Sequence, residues 1–106
     1  MDFMKMMKQA KDMQSKMQDL QAKFDTIEVT GTSGGGRVEI TLTVKGDLRG
    51  IRIDPSLLSA DEAETIEDLI MVAHKQAREK AHNTVQEKTQ GVMSGMGLPA
   101  GMKLPF

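Results

Sequence analysis

Cysteine, tryptophan and tyrosine are absent from this chain, and only three phenylalanines stand beside ten methionines. The missing cysteine excludes disulfides, thiolate nucleophiles and cysteine-based zinc sites together. The shortage of aromatics leaves methionine to fill the interior, which gives a soft, adaptable core. No apolar run approaches the roughly 20 residues that cross a bilayer. The charged opening Met1-Asp2-Phe3-Met4-Lys5 also lacks the unbroken apolar stretch of a signal peptide, so a cytoplasmic protein is expected. Neither sign of charge is in excess: 14 Lys plus Arg against 15 Asp plus Glu give a net charge of −1. That balance excludes a uniformly basic polyanion binder; a nucleic-acid partner requires positive charge that is segregated.

What is present is periodicity. Phe3, Met6, Ala10, Met13, Met17, Leu20, Phe24 and Ile27 recur in steps of three and four, which predicts one helix over about 3–25 with a seam for another helix. From Glu28 the period becomes two. Ile27 and Val29 oppose Glu28, Thr30 and Thr32, and then Val38, Ile40, Leu42 and Val44 alternate with polar residues, predicting two half-buried strands. Gly34-Gly35-Gly36 supplies the hairpin loop between them, and Gly46-Asp47 turns the chain into a third strand with Ile51 and Ile53 expected inward.

Ile53-Asp54-Pro55 then closes the sheet. Ser59 and Glu62 have capping-box spacing, so a second helix is expected from there to about Thr89, before Gly91. Leu69 to Ala73 is apolar all round, more than one sheet face can cover, so a second copy is expected against it. The stripe Ala73, Ala77 and Ala81 is expected to admit the first helix closely. Residues 1–90 read as a single domain of αβββα order, α+β in class, with a three-stranded antiparallel sheet. Residues 91–106, with their glycines, prolines and methionines, read as a tail.

The chemistry-bearing motifs mostly have plain explanations. Gly31 to Val38 has the glycines of a phosphate-binding P-loop, but Arg37 and Val38 stand where Lys and a hydroxyl are needed and a strand follows, so it is a hairpin. His74 and His82 are too far apart along a helix to share a metal unaided. Asp61, Glu62, Glu64, Glu67 and Asp68 suit a helix N-terminus. No nucleophile, acid–base pair, cofactor motif or metal set emerges, and an enzyme is not expected.

The helices are longer than the sheet: a strand of eight residues spans roughly 26 Å and a helix of thirty roughly 45 Å. They must overhang, and the expected overhanging ends carry the lysines.

The run Ile53-Asp54-Pro55-Ser56-Leu57-Leu58 and the closing Leu98-Pro99-Ala100-Gly101-Met102-Lys103-Leu104-Pro105-Phe106 carry a resemblance. With Met7-Lys8-Gln9-Ala10, Val29-Thr30-Gly31 and Glu67-Asp68-Leu69-Ile70 in order, the chain resembles the YbaB/EbfC family of bacterial nucleoid-associated DNA-binding proteins. Ala100 departs from a proline common in that family. The resemblance implies a tweezer-shaped homodimer joined through the sheet region, whose projecting helices hold double-stranded DNA. It also implies an association with the nucleoid and a role in chromosome organisation and transcription. On that basis Lys5, Lys8, Lys11, Lys75, Arg78 and Lys80 are expected to contact phosphates, with Lys16 and Lys88 as outer contributors and Arg37, Arg49 and Arg52 as alternatives. The expected dimer seat is Val38, Ile40, Leu42, Val44, Leu69, Met71 and Val72. Phosphate contacts alone predict little sequence preference. The competing expectation is a protein-binding adaptor that uses the methionine-rich helices and apolar tail.

Overall fold

A computed structural model describes residues 2–95. The order is α1 (Phe3–Phe24), β1 (Glu28–Ser33), β2 (Val38–Thr43), β3 (Leu48–Ile53), two 3-10 turns (Pro55–Leu57 and Ala60–Glu62) and α2 (Ala63–Gly95). This is the α+β layout that the two periods predict. The Gly/Pro-rich stretch from residue 96 onward lies outside the described residues.

The local chemistry of each boundary is visible. Asp2 caps α1 by accepting the Lys5 amide, and Thr26 closes its other end by donating to the Lys23 carbonyl at 2.8 Å. Gly34, Gly35 and Gly36 all take positive φ in the β1–β2 hairpin, a conformation open to glycine at no steric cost. The strands pair antiparallel in the order β1-β2-β3, with Gly31 opposite Ile40 and Ile40 opposite Ile51. Asp54 then accepts the Ser56 amide at 2.8 Å and starts the first 3-10 turn. That hydrogen bonding, aided by the Arg37 and Arg52 charges, holds the Asp54 carboxyl below the ordinary aspartate range.

α2 lies across β1 and β2. Val38, Ile40 and Leu42 are fully buried beneath it with Leu57, Ala73 and Ala77. A second cluster joins Leu20 and Phe24 of α1 to Val44 and Ala81, flanked by Met17 and Val85. The described residues form a rod of 71 × 22 × 18 Å.

Four expectations need correction. Ser59 makes no side-chain cap; a 3-10 turn intervenes and the α-helix proper starts at Ala63. α2 does not stop before Gly91 but runs through it to Gly95, with Met93 buried and Val92 half-buried nearby. Packing there offsets the roughly 1 kcal/mol that a mid-helix glycine costs relative to alanine.

The alanine stripe serves the sheet rather than α1. Gly31 sits so close under α2 that a β-carbon there would overlap the Ala73 carbonyl and the Ala77 amide, and only Ala81 meets α1 residues. Finally, Ile51 is half exposed rather than buried, because α2 covers the two neighbouring strands and not β3.

Candidate nucleic-acid interface

The helices separate into a seated part and a projecting part. In α1 the last two turns are held by Leu20 and Phe24, Met13 and Met17 are half-buried, and every residue from Asp2 to Asp12 is exposed. In α2, Ala73 and Ala77 anchor on the sheet, and Ala81 and Val85 meet α1. Since Phe24 and Ala81 share a cluster while α1 leads toward the sheet and α2 leads away from it, the start of α1 and the end of α2 project together.

The eight cations expected from sequence are all exposed, and the structure divides them. Lys5, Lys8, Lys11 and Lys16 lie on the projecting part of α1, and Lys88 lies on the outer half of α2. Lys75 and Arg78 instead lie over the sheet, where they line a shallow, open depression with His74, Glu79, His82 and Asn83. From helix rise alone, Lys75 and Lys5 stand about 40 Å apart along the rod, so these cations form a strip rather than a cluster.

Lys80 is committed elsewhere. Its Nζ donates to the Thr30 carbonyl at 2.8 Å, while Gln76 Oε1 accepts the Thr32 amide at 2.7 Å. These two side chains of α2 therefore occupy the outer edge of β1. Sequence pattern could not reveal this, because the acceptor is a backbone group fifty positions away.

Lys23 was missed. It falls on the same flank of α1 as Lys5 and Lys16, at intervals of about three and two turns. Reading the lysines by angle, and not only by nearness to the helix start, identifies it.

Among the described residues the ion pairs are Lys45–Asp25 at 3.1 Å and Arg52–Glu39 at 3.9 Å, both near the sheet. None of the lysines of α1 joins one there, and their only acidic companions within α1 are Asp12 and Asp19. The acidic residues Glu64, Glu67 and Asp68 sit at the opposite end of α2, with Asp61 in the 3-10 turn just before it. A nearly neutral chain thus places positive charge on its projecting end. Arg37, Arg49 and Arg52 stay with the sheet; Arg49 donates to the Asp25 carbonyl.

The expected dimer seat also divides. Val38, Ile40, Leu42 and Val44 are in the protomer's own core, so their side chains are not offered to a second copy. Leu69 is half-buried against the Gly34 hairpin, whereas Met71 and Val72 are exposed. Exposed apolar area lies instead on Leu48, Ile51 and Leu58.

No group of three or more candidate metal ligands occurs among the described residues, and no helix there is long and apolar enough to cross a membrane. The model of the YbaB/EbfC DNA-binding family matches residues 1–96. The chain belongs to that family. A nucleoid-associated protein of Methylocella silvestris is 52% identical over 105 residues, covering 99% of this chain and 98% of that protein. One from Agrobacterium fabrum is 50% identical over 105 residues, with the same coverage. The crystal structure of an uncharacterized protein from Helicobacter pylori is similar with a TM-score of 0.61 at 26% identity, covering 91% of this chain and 97% of that one. The strip of cations on this YbaB/EbfC member therefore lies in a family described by DNA binding.

Proposed function

We propose that this protein binds double-stranded DNA as a homodimer through its projecting helices and helps to organise the bacterial nucleoid in the cytoplasm. The observation that carries the reading is the segregation of charge: the exposed lysines of α1 lie at one end and the acidic start of α2 lies at the other. Such a strip attracts a polyanion even though the whole chain has a net charge of −1.

Lys5, Lys8, Lys11 and Lys16 are the primary phosphate contacts, with Lys23 aligned on their flank and Lys88 on the neighbouring helix. Lys75 and Arg78 continue the strip over the sheet. Lys80 drops to a structural role, since its head group is already bonded to backbone. Lysines on a helix face position a duplex without reading base edges, so unrelated sequences are bound about equally and any effect on transcription follows from occupancy. The homodimer is supported by Leu48, Ile51, Leu58 and Met71, apolar side chains that one protomer leaves at least half exposed.

A protein-binding adaptor is the second reading, favoured by the exposure of Phe3, Met4, Met6 and Met7 on the same arm. Gel shifts on unrelated duplexes separate the two. Exchanging Lys5, Lys8 and Lys11 for Glu abolishes retention if the arm grips phosphate. If the arm is an adaptor, that variant retains whatever weak DNA binding exists, and only changes at Met4 and Met7 release its partner.

A further inference from the structure

The first turns of α1 expose more apolar surface than phosphate contact requires. Phe3, Met4, Met6 and Met7 are 71%, 79%, 51% and 59% exposed, and contiguous exposure of this kind marks an interaction surface. Only part of it continues the seam that packs on α2. Met6 lies on the face of α1 that carries Met17 and Phe24, whereas Met7 stands about 100° and Met4 about 160° around the helix from Phe24. Nor does the described part of α2 reach that far. From the cluster shared by Phe24 and Ala81, helix rise takes α1 about 31 Å back to Phe3 and α2 about 21 Å on to Gly95. The opening of α1 therefore stands about 10 Å beyond the last described residue of α2.

The charge on this segment has one sign. No acidic residue occurs from Phe3 to Lys11, and Lys5, Lys8 and Lys11 are all exposed. Around the helix, Met6, Phe3, Met7 and Met4 sweep an arc of about 160°, with Lys11 and Lys8 at one rim and Lys5 opposite its centre. Lysine stems lie along apolar surface while their head groups turn outward. A protein groove that takes an amphipathic helix needs the apolar stripe but has no need for carboxylates to be missing. An anionic bilayer surface needs both features, and both are present.

We infer that the free end of α1 docks on membrane surfaces rich in anionic phospholipid. Phe3, Met4 and Met7 enter the boundary between headgroups and acyl chains, and Lys5, Lys8 and Lys11 meet the headgroup phosphates. The helix lies on the bilayer without crossing it. The inference goes beyond DNA binding and stands without it, since it rests on apolar side chains that a duplex backbone leaves unused. Because the same lysines serve both polyanions, lipid and DNA compete for one arm.

Flotation of the full chain with vesicles tests the docking. A lysine close to an anionic surface is worth about fivefold in binding, so vesicles of phosphatidylglycerol mixed with phosphatidylcholine should hold the protein on the order of a hundredfold more tightly than phosphatidylcholine alone. Phe3→Gln, Met4→Gln and Met7→Gln combined should weaken binding to the mixed vesicles by about tenfold or more. Glutamine suits an exposed helix and every lysine stays, so retention of DNA in gel shifts should be unchanged. The chain has no tryptophan, so Met4→Trp installs a sole indole whose emission should shift to the blue on the mixed vesicles.

That blue shift, with loss of vesicle binding but not of DNA binding in the glutamine variant, supports the docking. Vesicle binding that survives the glutamine changes overturns it, since the contact is then electrostatic without insertion. Joint loss of vesicles and DNA also overturns it, by placing the apolar side chains in the nucleic-acid interface. A native chain that floats with neither kind of vesicle defeats the inference while leaving DNA binding untouched, and the apolar face then belongs to a protein partner or to residues 96–106.

Discussion

The two ends of the rod are built on opposite principles. At the sheet end, Val38, Ile40 and Leu42 are almost wholly removed from water, and Gly31 brings a strand against the backbone of α2. At the other end α1 continues for more than two turns from Phe3 with every side chain exposed. On the proposed reading the contrast separates folding from function along a single helix. Leu20 and Phe24 tie α1 to the fold, and Lys5, Lys8 and Lys11 are exposed on the part proposed to meet DNA. Burial at one end holds the other end out in solvent, and altering either end should leave the other's property almost intact.

The strongest way to break the contrast is at Gly31. Gly31→Val puts side-chain atoms where the α2 backbone already lies, and the expected loss is several kcal/mol, about 3 or more, enough to abolish a cooperative thermal transition in a domain of this size. Next, Leu42→Ala should cost about 2–5 kcal/mol by leaving a core cavity. Met6→Ala on the exposed arm should stay within about 0.5 kcal/mol. Thermal melts of that pair report the division between the ends directly; equal losses would mean that the arm is also part of the core.

Exchanging Lys5, Lys8 and Lys11 for Glu sharpens the contrast from the functional side. The melting temperature should hold, and the slope of log affinity against log salt should fall by about 0.9 for each phosphate contact removed. Lys75→Glu with Arg78→Glu should give a smaller reduction if the arm is the principal grip. A larger one moves the interface onto the back of α2, over the sheet.

The smallest effect concerns Asp54. Its carboxyl is held below the ordinary range chiefly by the hydrogen bonds from Ser56, so its charged form stabilises the fold above that range, and the contribution is lost as pH falls through the lowered value. Asp54→Asn should therefore melt lower than the native chain at neutral pH, with the difference narrowing in acid below the usual aspartate value. A constant difference would assign Asp54 a purely geometric role.

Much of this organisation was legible in the sequence because hydrophobic period is a local property. The three- and four-residue steps from Phe3 to Phe24, the alternation in β2 and the glycine run at 34–36 each specify an element without knowledge of its neighbours. What pattern could not supply was the partner of each face. Ala73 and Ala77 permit close approach by a helix or a strand, and only the position of Gly31 shows that the strand has taken it. Ile51 reads as inward because alternation assigns a face, yet nothing local says whether a helix lies over it. Gly91 signals a stop that distant packing overrides. At the candidate interface exposure of the lysines was readable, whereas the capture of Lys80 by Thr30 depended on how α2 crosses the sheet edge.

The proposed grip of a polyanion by a chain of almost no net charge depends on the exposed lysines ranged along the projecting arm of α1. Binding of the purified native protein to two unrelated duplexes, followed from about 50 to 200 mM salt, tests it most directly. A grip through six or more phosphates predicts a fall of about a thousandfold or more, along parallel straight lines of log affinity against log salt for the two sequences. An affinity that barely changes with salt, or a steep dependence confined to one duplex, would contradict the account.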